Sequence, residues 1–355
     1  MPLPAAADLP ETPAVLIDER IALRNIAEAQ ARFDALGVAL RPHIKTHKLI
    51  HFARAQRAAG AAGLTCQKTS EAEVFVDAGF DDILITYNIL GPAKLERLVA
   101  LARRARVRVV VDNAEVVAGL SAAFAGKAPL TVLVECDTGH GRCGVQSPEA
   151  AAALAGRIAE SPGLAFGGLM TYPGPAAPEK VEAFLSAAKA LCAAADLPCQ
   201  TITSGGTPAM KQFAGRSVIT EYRPGTYIYN DRSLVTRGAC TLDDCALVVL
   251  ATVVSRPTET RAIIDAGSKT LSSDLMGMTG YGMLREYPGA AIVGLSEEHG
   301  MVDLAGSAGK PRVGEVVAVI PNHACVVTNL FDRVWLHQGG QDLRPMRVDA
   351  RGTVF

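Results

Sequence analysis

Lys45 stands in the run Arg41-Pro42-His43-Ile44-Lys45-Thr46-His47-Lys48, between two histidines and close to a second lysine. An amine among like charges and partly withdrawn from water has its pKa lowered. That is what a nucleophile toward a carbonyl carbon needs. The run follows the apolar Val38-Ala39-Leu40 and so reads as the far end of a buried strand. Pro42 forbids helix at this point and pushes Arg41 toward extended geometry. The plainer alternative is a basic loop facing solvent.

A second candidate lies far down the chain in Pro321-Asn322-His323-Ala324-Cys325. If this segment is extended, the His323 imidazole and the Cys325 thiol share a face. Together they are half of a zinc site, and two protein ligands leave positions open for water or substrate. An open site suits Lewis-acid catalysis rather than a structural role. The alternative is a packed core pair. Glu297-Glu298-His299-Gly300 is a further polar cluster after a strand. His299 there can donate a proton or support a metal ligand from behind; the alternative is a solvated turn.

Three more segments carry candidate binding residues. Ser204-Gly205-Gly206-Thr207-Pro208 and Pro224-Gly225-Thr226-Tyr227 are glycine turns whose backbone N–H groups and hydroxyls can approach an anion. In Glu135-Cys136-Asp137-Thr138-Gly139-His140-Gly141-Arg142-Cys143-Gly144 the glycines imply close backbone approach. Arg142 can stack on a planar ring, hold a carboxylate, or form a salt bridge that closes a rim. Tyr172, before Pro173-Gly174, can offer its phenol to a ring nitrogen or pack across a barrel mouth.

The elements that must position these groups alternate in kind. Strand patterns occur at 13–17, 38–46, 63–67, 82–86, 106–112, 130–137, 164–172, 200–204 and 218–223. Alanine- and leucine-rich helical windows fall between them, at 19–36, 93–104, 114–125, 148–160 and 178–195 among others. After the first strand there remain eight near-continuously apolar strands in βα units. They predict an α/β chain with a (β/α)₈ TIM-type barrel, a doubly wound sheet being the runner-up. Lys45, Arg142, Tyr172, Ser204 to Thr207, Gly225 and Tyr227 then fall at or just past the C-terminal ends of strands, where barrel enzymes keep their sites. The two glycine turns follow the seventh and eighth strands, the usual phosphate position. Beyond Asp231 long helical windows give way to strand patterns at 246–255, 261–266, 290–295, 314–321 and 326–336, a second, mainly β C-terminal domain. The opening strand is left over from the barrel count and is expected to join it. This gives a barrel over residues 19–235 and a β domain from residues 1–18 and 236–355.

Composition narrows the function classes. The 355 residues carry a formal net charge of −1, with 20% charged and 5% aromatic residues. No basic field is available for nucleic acid or an anionic membrane surface. No signal peptide is apparent in Met1-Pro2-Leu3-Pro4, and no run of about 18 apolar residues predicts a membrane span. Eight cysteines without framework spacing suit reduced thiols and a cytoplasmic protein.

Taken together, the residues from Arg41 to Lys48, Asp137 to Gly144, Ser204 to Pro208, Arg223 to Tyr227, Asp265 to Lys269, Glu298 to Gly300 and His323 to Cys325 resemble the fold-type III pyridoxal-phosphate enzymes. More narrowly they resemble the D-serine dehydratase / D-threonine aldolase group, related to alanine racemase. The resemblance spans nearly the whole chain. It implies that Lys45 bonds the cofactor aldehyde and that Tyr172 lies near the pyridine nitrogen. It implies a phosphate held by Ser204, Gly205, Gly206, Thr207, Gly225 and Tyr227, with Arg142 beside the cofactor. It further implies a divalent metal on His323 and Cys325, a catalytic part for His299 and a homodimer. The His-x-Cys spacing resembles the zinc-favouring dehydratases, and a thiolate favours zinc over manganese or magnesium on chemical grounds. Met170 to Gly174 and Asp265 to Lys269 resemble the aldolase branch at least as much. The expectation is a lyase of D-β-hydroxy-α-amino acids of the D-serine dehydratase (D-serine ammonia-lyase) type. D-threonine aldolase-type cleavage and D-threo-3-hydroxyaspartate dehydration are the alternatives.

Overall fold

The computed structural model describes residues 3–4, 9–174, 177–215 and 217–355. The chain divides into two compact units, one of residues 29–45, 50–225 and 353–355, the other of residues 1–28, 46–49 and 226–352. Strand β1 (Ala14–Asp18) is followed directly by helix α1 (Glu19–Leu36). Eight short strands come next: β2 (Ala39–Leu40), β3 (Leu64–Cys66), β4 (Asp82–Ile85), β5 (Arg106–Val111), β6 (Leu130–Cys136), β7 (Leu164–Thr171), β8 (Thr201–Ser204) and β9 (Glu221–Tyr222). Helices α2 (Ile50–Ala59), α3 (Thr69–Asp77), α4 (Pro92–Ala102), α5 (Ala114–Phe124), α6 (Pro148–Glu160) and α7 (Pro178–Ala194) lie between them. Local chemistry sets several starts. The Asn113 side chain accepts the Val116 N–H at the head of α5. Ser147 accepts the Ala150 N–H at the head of α6, where Pro148 fills a position that needs no donor.

All eight barrel strands pair in parallel, in the order β2-β9-β8-β7-β6-β5-β4-β3. The two ends of that order meet. Ala62 N–H donates to Leu40 O at 2.8 Å, Thr65 N–H donates to Pro42 O at 2.8 Å, and His43 bridges Thr65. A doubly wound sheet would leave two edges, so the barrel reading holds and the runner-up falls.

Side-chain alternation stacks the barrel interior in layers. At its N-terminal end Arg41 Nε donates to Glu221 Oε2 at 2.7 Å and Arg41 Nη1 to Asp82 Oδ1 at 2.9 Å; Arg108 Nη2 lies 3.5 Å from both carboxylates. Two residues further along β4 and β5, Leu84 and Val110 join Leu133 and Met170 in an apolar layer. Two residues beyond Leu133 comes Glu135, and the Arg223 guanidinium reaches Thr171 O at the end of β7, so charge returns beyond the apolar layer. The fold thus sets charge at both ends of an apolar plug.

The stretch read as a strand over 38–46 is extended in register with its neighbours only as far as His43, and Ile44–Thr46 is a single 3₁₀ turn. Proline restrains itself and the residue before it, not those that follow. Lys45 therefore sits on the turn that caps the strand.

In the other unit α8 (Arg232–Thr236) leads into β10 (Leu247–Thr258), β11 (Arg261–Ile264), α9 (Ser268–Leu271), β12 (Gly282–Leu284), β13 (Ala291–Leu295), β14 (Gly300–Asp303), β15 (Val316–Pro321), α10 (Ala324–Leu330), β16 (Arg333–Gln338) and β17 (Gln341–Arg347). Among the described residues they form one sheet in the order β11-β14-β13-β12-β15-β10-β1-β16-β17. All five residues of β1 are buried; it pairs antiparallel with β10 and parallel with β16. Its Leu16 packs with Cys245, Val248, Leu250, Ala318 and Ile320. The segment read as one strand over 326–336 is instead the end of α10, a turn, and most of β16. Buried Ala324, Val327 and Thr328 follow helical spacing, which the valine content of the segment hides. Among the described residues no helix is long and apolar enough to cross a membrane. All eight cysteines are free thiols.

Candidate active site

On the barrel, the Lys45 backbone N–H reaches His43 Nδ1 at 3.4 Å, which makes that nitrogen the acceptor. The His43 proton then belongs on Nε2, which donates to Gln67 Oε1 at 3.1 Å. Gln67 Nε2 in turn donates to Thr86 O at 2.9 Å, and the Gln67 N–H donates to Glu71 Oε2 at 2.7 Å. The turn carrying Lys45 is thereby pinned to the ends of β3 and β4. The solvent-facing alternative fails, because residues 41–44 and 46–49 are buried and Lys45 half-buried. In the other unit Lys48 adopts a left-handed φ of 54° and its Nζ donates to Ala350 O at 3.1 Å. His47 Nδ1 accepts the Leu49 N–H at 3.0 Å. These two basic residues hold the chain in place, which spacing alone could not separate from a part in catalysis.

At the rim Tyr172 follows β7. The Arg142 guanidinium lies over its ring, 4.9 Å from the centroid, and His140 packs edge-on at 4.9 Å. Asp137 folds its loop by accepting three successive N–H groups, from Gly139, His140 and Gly141, at 2.9 to 3.1 Å. Beneath lies buried Glu135, pushed up to about 7 by burial against the pull of Arg142 and Arg223. Arg223 is buried, and burial pushes it down to about 10. Its Nε donates to Thr203 Oγ1 at 2.8 Å and its Nη2 to Thr171 O.

Ser204 ends β8 and is buried, and Thr207 heads a 3₁₀ turn over Thr207–Ala209. Between them Gly205 takes a φ of +96°, and a Cβ there would land 2.2 Å from Cζ of Tyr222. A Cβ on Gly206 would stand 3.0 Å from Cε2 of Tyr172. The Tyr222 hydroxyl donates to Gly206 O at 3.1 Å. A backbone cradle without side chains, framed by two tyrosines after the seventh barrel strand, fits the phosphate and ring of pyridoxal phosphate. Gly225 closes the barrel unit, while Tyr227 belongs to the other unit and is buried in a 3₁₀ turn.

In the β unit His323 and Cys325 do meet, though not as alternate residues of a strand. His323 is the N-cap of α10, with φ −141° and ψ 96°, and Cys325 is the second residue of that helix. The two groups stabilise each other's charge. Burial opposes charge on both, yet their mutual attraction prevails: the imidazole is pushed up to about 9 and the thiol held below its usual value. His323 Nδ1 is 2.8 Å from Asp274 Oδ2. Cys325 Sγ is 3.1 Å from Thr46 Oγ1 and 3.5 Å from Thr226 Oγ1. Asp231 takes the Ala324 N–H at 3.1 Å and the Ser233 hydroxyl at 2.7 Å, which locks the start of α10 to α8. Asn322 Nδ2 donates to Asp274 O at 3.1 Å. Among the described residues no third His, Cys, Asp or Glu joins the pair as a metal ligand. The donor set of one imidazole and one thiolate, with the imidazole backed by a carboxylate, fits a divalent cation in an open site.

His299 is exposed on the turn between β13 and β14, and among the described residues it forms no metal-holding group with His323 and Cys325. The carboxylate behind the imidazole is Asp274, which no spacing in Ser272-Ser273-Asp274 announces. Thr46 and Thr226 stand in the segments around Lys45 and Gly225, where no spacing announces their approach to Cys325.

Two family models match the chain: the alanine racemase N-terminal domain over residues 17–233 and a putative serine dehydratase domain over residues 246–337. The chain is 36% identical to the D-threonine aldolase of Arthrobacter sp, over 96% of this chain and 93% of that one. It is 35% identical to the D-threo-3-hydroxyaspartate dehydratase of Delftia sp., over 90% and 92%. Among solved structures, D-threonine aldolase from Filomicrobium marinum superposes with a TM-score of 0.86 at 34% identity, covering 97% of each chain. A Cys-to-Ala variant of a D-threo-3-hydroxyaspartate dehydratase, solved in a metal-free form, superposes with a TM-score of 0.84 at 31% identity, over 95% of this chain and 97% of that one.

Proposed function

Given that this chain belongs to the fold-type III pyridoxal-phosphate lyases that join an alanine racemase-type barrel to a serine dehydratase-type β domain, we propose that it removes water from a D-β-hydroxy-α-amino acid. The products are a 2-keto acid and ammonia, and D-serine is the simplest substrate. The observation that carries this reading is the Cys325 sulfur beside His323. A thiolate and an imidazole together favour a borderline-soft cation such as zinc over magnesium or manganese.

Pyridoxal phosphate supplies the electron sink for charge that develops at the substrate α-carbon. The residues here supply the rest. Lys45 would hold the cofactor aldehyde through its amine, and the same amine is the base that would take the α-proton. Its turn is fixed by the His43–Gln67 bond, so the amine meets that proton from a set direction. Gly205, Gly206, Ser204, Thr207, Gly225 and Tyr227 would hold the phosphate. Tyr172, braced by Arg142 and His140, would serve the ring nitrogen. His323 and Cys325 would hold the divalent cation, whose Lewis acidity serves a departing hydroxyl. Thr46 follows Lys45 in the chain, so their Cα atoms are about 3.8 Å apart. His299 is assigned a part across a homodimer, and the free thiols support a cytoplasmic setting.

The second reading is aldol cleavage, favoured by the likeness to D-threonine aldolases. Incubation with D-threonine separates the two. Dehydration gives 2-oxobutanoate and ammonia; glycine and acetaldehyde would overturn the dehydratase reading in favour of the aldolase one.

A further inference from the structure

Two hydroxyl groups converge on the sulfur of Cys325, and the reaction outlined above assigns neither of them a task. We propose that Thr46 and Thr226 are positioning residues for the metal-binding sulfur, with Thr46 carrying the larger share. The proposal rests on the reading of His323 and Cys325 as a cation site.

Thr46 is fully buried, and its Oγ1 lies 3.1 Å from Sγ. Among the described residues its side chain makes no other hydrogen bond, so the hydroxyl has one use. A β-branched side chain has few rotamers, and burial removes the choice between them. The hydroxyl is therefore aimed before any ligand arrives. Thr226 is half-buried, and its Oγ1 stands further off, at 3.5 Å. Cys325 itself sits in the first turn of α10, held from behind by the Asp231–Ala324 bond. The backbone fixes Cα, and the hydroxyls fix the direction of the sulfur.

With only two protein donors in the site, each must be well oriented to hold a cation. With a cation held by His323 and Cys325, the two hydroxyls would remain within reach of the sulfur and keep its direction set. Groups of this kind, one step removed from a metal, commonly change affinity by roughly 10- to 100-fold when deleted. Thr46→Val keeps the volume and the branch and deletes only the donor.

The test uses the holoenzyme with pyridoxal phosphate retained and metal stripped by dialysis against a chelator. Cobalt(II) is titrated while the thiolate-to-cobalt charge-transfer absorption is followed, and zinc affinity is then measured by competition with a chromophoric chelator. Thr46→Val is expected to weaken zinc binding by roughly 10-fold or more and to shift the charge-transfer band, because the hydrogen bond to sulfur is gone. Thr46→Ser is expected to restore both, and Thr226→Val to show a smaller loss. A purely structural role would alter thermal stability and leave the band of the folded protein in place. Wild-type affinity and an unshifted band in Thr46→Val overturn the proposal. Should that variant fail to fold, an unaltered band and affinity in Thr226→Val do the same. A wild-type protein with no charge-transfer band removes the cation site itself, an outcome distinct from a band that is present and indifferent to both threonines.

Discussion

Asp274 Oδ2 lies 2.8 Å from Nδ1 of His323. A carboxylate in that position orients the imidazole and keeps its proton on Nδ1, which leaves Nε2 as the nitrogen for a cation. Asp274 is itself placed by the Asn322 amide, and the Arg232 guanidinium bonds that amide's oxygen at 2.9 Å. Asp274→Asn keeps the shape and loses the charge. It is expected to release zinc roughly 10-fold more readily to a competing chelator, with the cofactor still bound. Equal zinc retention in variant and wild type would make the carboxylate incidental.

Gly205 has the backbone of a residue that cannot carry a side chain. Its φ of +96° is strained for any L-residue, and the added carbon would land on the Tyr222 ring. Gly205→Ala is expected to cost roughly 1–3 kcal/mol of local strain. The loop would relieve that strain by moving off the position where phosphate binds. The measurement is pyridoxal phosphate retained per folded chain after gel filtration. Gly119→Ala is the control, since a Cβ there meets nothing within 4 Å. Full retention in both would exclude the Gly205 loop from the phosphate site.

How far the sequence could be read depended on the range of the interaction. Apolar runs marked the barrel strands because each is buried on both faces, and every one of the eight lies inside its expected range. The His323–Cys325 pair was visible as two ligand-type residues close in sequence. The reason first offered for their proximity, strand alternation, is replaced by a helix N-terminus. In a short valine-containing segment the two periods cannot be told apart without the neighbours that bury Ala324, Val327 and Thr328. Asp274 and Thr46 were illegible as partners of His323 and Cys325 because they come from sequence positions 49 and 279 residues away. Conversely, proximity in sequence suggested that Lys48 tunes Lys45. The left-handed turn at Lys48 sends its amine to Ala350 instead.

Glu135 ties stability to pH in the direction opposite to most carboxylates. Burial raises its folded-state value from 4.5 to about 7, so the folded protein holds that proton more tightly than the unfolded chain. Its contribution to stability is fully present below about 4.5 and is lost as pH rises through about 7, a swing of about 3 kcal/mol at most. Glu135→Gln cannot ionise. It is expected to match the wild type at pH 4.5 and to exceed it at pH 8 in urea unfolding. A stability gap that does not change between these two pH values would refute the buried-acid assignment.

The charge layer at the N-terminal end of the barrel yields a prediction about order rather than chemistry. Arg41 is almost wholly buried and binds both Glu221 and Asp82, and Arg106 and Arg108 also reach Asp82. Removing Arg41 strands Glu221, because its remaining cation, Arg108, stands 3.5 Å away. Breaking a buried pair from one side commonly costs about 3–5 kcal/mol, whereas replacing both sides with apolar groups is often close to neutral. Arg41→Met is therefore expected to lose stability on that scale in urea unfolding. Adding Glu221→Leu to it should recover much of the loss, while Glu221→Leu alone should be destabilising. Asp82 keeps two cations in every variant and needs no replacement. Strictly additive losses in the double variant would mean that the two residues act independently, and that the layer holds the barrel by packing rather than by charge.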